Sequence, residues 1–100
     1  MIILLKKKPT LTDEEFATYL SETHAPLARK MPGLRKYAVN IVKQHPNREP
    51  EYHGVAELWF DDSASMKKAF SSPEGVATQK DTEAFATTPT TMYVDEHVIV

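Results

Sequence analysis

The chain has no cysteine. That excludes a disulfide framework, an iron–sulfur cluster, a thiolate zinc site and a cysteine nucleophile. Its three glycines, Gly33, Gly54 and Gly75, lie too far apart to form a phosphate-cradling loop, so no nucleotide or dinucleotide cofactor is expected. Excess positive charge is also missing: 12 Lys and Arg stand against 14 Asp and Glu, a formal net charge of -2. Nucleic-acid binding draws on cationic contacts with phosphates, so no nucleic-acid partner is expected. No apolar run approaches the ~20 residues that cross a bilayer. The apolar start Ile2-Ile3-Leu4-Leu5 precedes Lys6-Lys7-Lys8, the reverse of a secretory signal. The expectation is a cytoplasmic protein with no membrane partner, beginning at its native Met1.

What is present suits one domain over residues 1–100: 41% hydrophobic and 26% charged residues can supply a modest core. Residues 2–7 read as a strand with apolar side chains at both parities, covered on both faces. Thr12-Asp13-Glu14-Glu15 is a capping box, with Leu11 and Phe16 placed as a hydrophobic staple. The helix it opens carries Phe16, Leu20, His24, Leu27 and Met31 on one stripe. Pro26 removes a backbone donor and predicts a bend over 22–26; Pro32-Gly33 ends the helix.

Strands are expected over 34–44 and 52–60. In the second, His53, Val55, Glu57 and Trp59 share one parity, against Tyr52, Gly54, Ala56, Leu58 and Phe60. Asp61 or Asp62 can cap a helix carrying Met66, Ala69 and Phe70. Ser72-Pro73 starts another, with Ala77, Asp81, Ala84 and Phe85 as its stripe. A loop around Pro89 and a last strand over 92–100 complete the chain. The order β-α-β-β-α-(α)-β predicts an α+β fold: a ferredoxin-like four-stranded antiparallel sheet with helices on one face. Strands that are apolar on both faces then predict a partner sheet, and so a homodimer.

His24 is the most informative residue. Imidazole titrates near pH ~6.5, which suits it to proton transfer. Two readings stand: a core histidine bonded to a backbone carbonyl, and a proton-transfer group lining a cavity that the Pro26 bend opens. His53 is either a strand-end surface residue or a substrate-binding one; Trp59 is either core or a pocket wall. Asp81 interrupts an apolar stripe and needs a partner. It can cap a loop, pair with a cation or orient a histidine. Neither H-x-H nor H-E-x-x-H spacing occurs among the four histidines, so no metal is expected.

The segments Leu11–Phe16, His24-Ala25-Pro26-Leu27, Met31–Tyr37, Gly54–Asp62 and Phe70–Glu74, together with Asp81 and Glu96-His97-Val98, resemble the EthD-like family. The resemblance spans nearly the whole chain. It implies two ferredoxin-like protomers with their sheets face to face, a dimeric α/β barrel, and a ligand pocket between sheet and helices. It also places His24 on the family's helix histidine, and Tyr37, Trp59 and Asp81 on recurrent positions. The expected site is thus His24 as the catalytic group, with Phe16, Leu20, Tyr37, His53, Trp59 and Asp81 binding a small hydrophobic or aromatic metabolite, and no cofactor. Function stays open between a cofactor-independent isomerase or lyase, a non-catalytic metabolite-binding protein and a cofactor-free monooxygenase.

Overall fold

Ile2–Leu5 (β1) lies at the centre of a four-stranded antiparallel sheet, in a computed structural model that describes residues 1–100. The strand order is β2-β3-β1-β4, where β2 is Lys36–Ile41, β3 Gly54–Trp59 and β4 Thr90–Met92. This is the ferredoxin-like α+β topology. In register, Ile2 faces Glu57 and Leu4 faces Val55, while Tyr37 faces Leu58. Gly54, Ala56 and Leu58 are buried, so that parity of β3 meets the helices; Val55, Glu57 and Trp59 stand on the outer face.

Four short helical segments cover the inner face. Asp13–Tyr19 (α1) opens with the expected capping box: Thr12 Oγ1 accepts from the Glu15 N–H at 3.1 Å, and Glu15 Oε1 accepts from the Thr12 N–H at 2.9 Å. These bonds hold the Glu15 carboxyl below its ordinary range, the backbone bond to Thr12 contributing most. After α1 the helix widens into a π turn over Leu20–His24 and returns to α geometry over Ala25–Ala28 (α2). The expected bend is therefore realised as a π turn. In an α register the Pro26 ring would strike the carbonyl of Glu22. The wide turn avoids this, and the Ala25 N–H reaches back to the Leu20 carbonyl.

Gly33, at φ +78°, turns the chain out of the helix in a conformation that a side chain would strain. Ser63–Ser71 (α3) and Pro73–Thr82 (α4) are capped by Asp62 and Ser72. The stripe read on α4 is shifted: Ala77 and Ala84 are exposed, whereas Gly75, Thr78, Phe85 and Ala86 are buried. Phe85 and Ala86 lie past the end of α4, where a helical period no longer sets the inward face.

The strands are shorter than the apolar runs. Arg35 N–H to Trp59 O and Val42 N–H to His53 O continue the β2–β3 ladder by one bond at each end. The last strand was expected over 92–100 and instead occupies Thr90–Met92. With Met92 opposite Ile2, it has reached the end of β1 and has no further neighbour. Two apolar clusters fill the space between sheet and helices. One gathers Leu5, Phe16, Leu20, Phe85 and Ala86; the other Ala28, Met31, Ala56, Leu58 and Ala69.

Candidate functional site

The second cluster is built largely of alanines, and they leave room. A cavity of about 440 Å³ lies between sheet and helices, within the usual size of small-molecule sites. Its walls are Ile3, Leu5, Ala28, Met31, Ala56 and Leu58, with Phe70 from α3. Its polar side holds His24, Tyr37, Thr82, Glu83, Thr87 and Thr88.

The π turn presents His24, which is 7% exposed. Its Nδ1 lies 2.8 Å from Asp81 Oδ2. A carboxylate oxygen only accepts, so Nδ1 carries the proton and Nε2, which bonds to no protein group, is left as the basic nitrogen. The other oxygen, Asp81 Oδ1, accepts from the Tyr19 hydroxyl at 2.7 Å. That bond, chiefly, raises the Tyr19 phenol above its ordinary range, with desolvation and the carboxylate's charge adding to it. The phenol thus stays protonated and continues to donate. Phe85, fully buried, stacks on Tyr19 at 5.0 Å and packs on the imidazole at 4.8 Å between ring centroids. An ordered chain results: Tyr19 fixes Asp81, Asp81 fixes the tautomer and orientation of His24, and His24 faces the cavity.

Tyr37 reaches the cavity from β2. Burial pushes its phenol up to about 12, so it stays neutral, and its hydroxyl makes no hydrogen bond within the chain.

The other expected residues lie elsewhere. Phe16 and Leu20, 1% and 0% exposed, are sealed in the first cluster and do not line the cavity. Asp81 stands behind His24 rather than in the lining. His53 ends the β1–β3 ladder: its N–H donates to Leu5 O, and its Nδ1 accepts from the Lys7 N–H at 3.1 Å. The ring packs edge-on to Phe16, and Nε2 is buried 3.9 Å from Glu49 Oε1, beyond hydrogen-bond range. Trp59 is on the outer face, where its Nε1–H donates to Glu96 at 3.0 Å and Lys36 Nζ lies 4.5 Å over its ring. No group of three or more His, Asp or Glu side chains gathers to hold a metal ion.

Sequence reasoning missed Tyr19 altogether. It stands five positions before His24, a spacing that reaches one carboxylate through the π turn and misaligns in a regular α-helix. It also missed the alanines. Their signal was small size on the inward parity, at Ala28 and Ala56.

A family model described as the EthD domain matches residues 8–89. The chain is 29% identical over 86 residues to an uncharacterized 11.0 kDa protein in the thcB-thcC intergenic region of Rhodococcus erythropolis, covering 85% of this chain and 84% of that one. Among solved structures it is similar to an ethyl tert-butyl ether D (EthD) family protein from Bacillus halodurans C-125, at 30% identity and a TM-score of 0.71, over 92% and 96% of the two chains. A dimeric protein of unknown function with a ferredoxin-like fold from Bacteroides fragilis shares the fold at 20% identity and a TM-score of 0.65, over 89% and 86%. With the domain match running over most of the chain, from the start of the helix layer to β4, this protein belongs to the EthD family.

Proposed function

We propose that the chain is a cofactor-independent, isomerase- or lyase-type enzyme that moves a proton at His24 on a small cyclic or aromatic compound. One observation carries the reading: an imidazole that lines the cavity, held at Nδ1 by a carboxylate and free of any protein partner at Nε2. His24 Nε2 would take a proton from a C–H beside a carbonyl. The electron pair would pass to the carbonyl oxygen, where the Tyr37 hydroxyl can donate a hydrogen bond. The imidazolium, stabilised by Asp81, would return the proton to a different carbon, or to a leaving oxygen.

The homodimer belongs to the same proposal. The outer sheet face carries Ile2, Leu4, Val55 and Trp59, and the segment beyond β4 exposes Tyr93, Val98 and Ile99. A second copy packed sheet to sheet would cover them, an arrangement supported by the dimeric description of the Bacteroides fragilis neighbour.

The test is exchange of the α-protons of an enolisable cyclic ketone in deuterated water, followed by NMR. The wild-type protein is expected to accelerate exchange, and His24→Ala to lose ~10²–10⁴-fold of that acceleration while keeping its fold. Saturable binding without exchange in the wild type would overturn catalysis and leave a metabolite-binding protein. Oxygen uptake in place of exchange would assign oxygenation.

A further inference from the structure

The charges around the cavity narrow the chemical class of its ligand. No lysine or arginine lines it, whereas the acidic Glu83, exposed at the end of α4, stands at its edge. His24 adds no net positive charge, because a protonated imidazole there is matched by Asp81 at 2.8 Å. The hydroxyls of α4 are already engaged: Thr78 donates to Glu74 O and Thr82 to Thr78 O. The Gln79 amide donates to Phe70 O and Gly75 O. The donors left for a ligand are the hydroxyls of Tyr37, Thr87 and Thr88, all uncharged.

We infer that the cavity takes an uncharged compound carrying a carbonyl or hydroxyl oxygen, and excludes the carboxylate of the same size and shape. An anion entering it would leave water for a largely apolar wall with no cation to meet it, beside the negative charge of Glu83. A neutral carbonyl needs one donated hydrogen bond, which Tyr37 can supply, and its ring can rest against Leu58 and Met31. Glu83 thereby acts as a specificity residue at the end of α4. The inference rests on the cavity being the ligand site, and goes beyond it by fixing the ligand's charge.

The experiment compares 2-tetralone, an uncharged ketone, with 2-naphthoate, a fused-ring carboxylate of similar size, by NMR titration at neutral pH. The wild-type protein is expected to bind the ketone saturably, with shifts at Tyr37 and His24, and the carboxylate roughly tenfold or more weakly. Glu83→Lys puts a cation at an exposed helix C-terminus, where the helix dipole favours it, so the fold should survive. It is expected to raise naphthoate affinity roughly tenfold or more. Equal or tighter naphthoate binding by the wild type would overturn the charge inference and leave the ligand site standing. Absence of a gain in Glu83→Lys would likewise overturn it. Binding of neither compound would overturn the ligand-site reading, and the inference with it.

Discussion

Asp81 and His24 are 57 residues apart in the chain and 2.8 Å apart in space. The pair ties α4 to the π turn, and it sets which imidazole nitrogen is free. Asp81→Asn tests this directly. An amide nitrogen donates, so it can turn toward Nδ1 and move the ring proton to Nε2. The cavity would then face an N–H instead of a base. Nitrogen-15 NMR of His24 is expected to show the tautomer reversed, with ketone exchange falling by ~10²–10⁴-fold. The Tyr19 phenol, raised chiefly by its bond to Asp81, should titrate closer to its ordinary range.

Tyr37 gives a test on the alkaline side. Burial moves its phenol from 10.0 to about 12 in the folded chain. A raised folded value favours the folded state while the phenol is neutral. That contribution is complete below pH 10 and is lost as pH rises from 10 to 12, because the unfolded chain ionises first. Absorbance at 295 nm should show a late tyrosinate transition in the native protein that urea removes. Tyr37→Phe should remove one tyrosine from the late transition, leaving that of Tyr19, and flatten the loss of stability over the same interval.

Much of the fold was legible in local signals. Thr12 with Glu15, and Ser72 with Pro73, marked helix starts because capping is chemistry within four residues. Strand parity was legible too, since β3 does alternate. Which parity faced inward was not. Trp59 looks like core by size, yet Gly54, Ala56 and Leu58 face the helices, because close helices and a cavity demand small residues there. The site was half legible. His24 stood out as a polar residue on an apolar stripe, but its partner lies on another helix, and no spacing rule reaches that far. The exposed segment beyond Met92 reads as a strand from its side chains, but a strand needs a neighbour, and β1 ends first.

Phe85 is the aromatic hub behind the site, packed on Phe16, Tyr19 and His24. Phe85→Ala should cost about 3–5 kcal/mol in urea unfolding, the usual cost of removing a fully buried phenylalanine. Phe85→Leu keeps most of the volume and should cost less, while releasing the His24 ring. A loss of ketone exchange in Phe85→Leu with the fold retained would separate positioning from stability.

The outer sheet face predicts the assembly. Val55 stands there between Asn40 and Leu4. Val55→Lys would bury a cation in a sheet-to-sheet seam, at a cost of several kcal/mol per dimer. Sedimentation at micromolar concentration should show a dimer for the wild type and a monomer for the variant. A wild-type monomer would sink the assembly.

Ala56 offers a way to remove the cavity without touching its chemistry. It is 5% exposed, lies at the centre of β3 and lines the void directly. Ala56→Met extends an apolar, unbranched side chain into that space. Each methylene buried there favours folding by about 0.8 kcal/mol, whereas insertion into a tightly packed core costs about 1–3 kcal/mol. If the void is as roomy as its alanine walls make it, the first effect wins. The melting temperature should then hold or rise, and 2-tetralone binding should disappear. The Asp81–His24 contact should persist, since Asp81 does not line the void and is also held by the Tyr19 hydroxyl; its NMR signature would show this. Loss of binding with the dyad intact would separate the container from the catalytic group. A large fall in melting temperature would mean that the space is already filled by the neighbouring side chains.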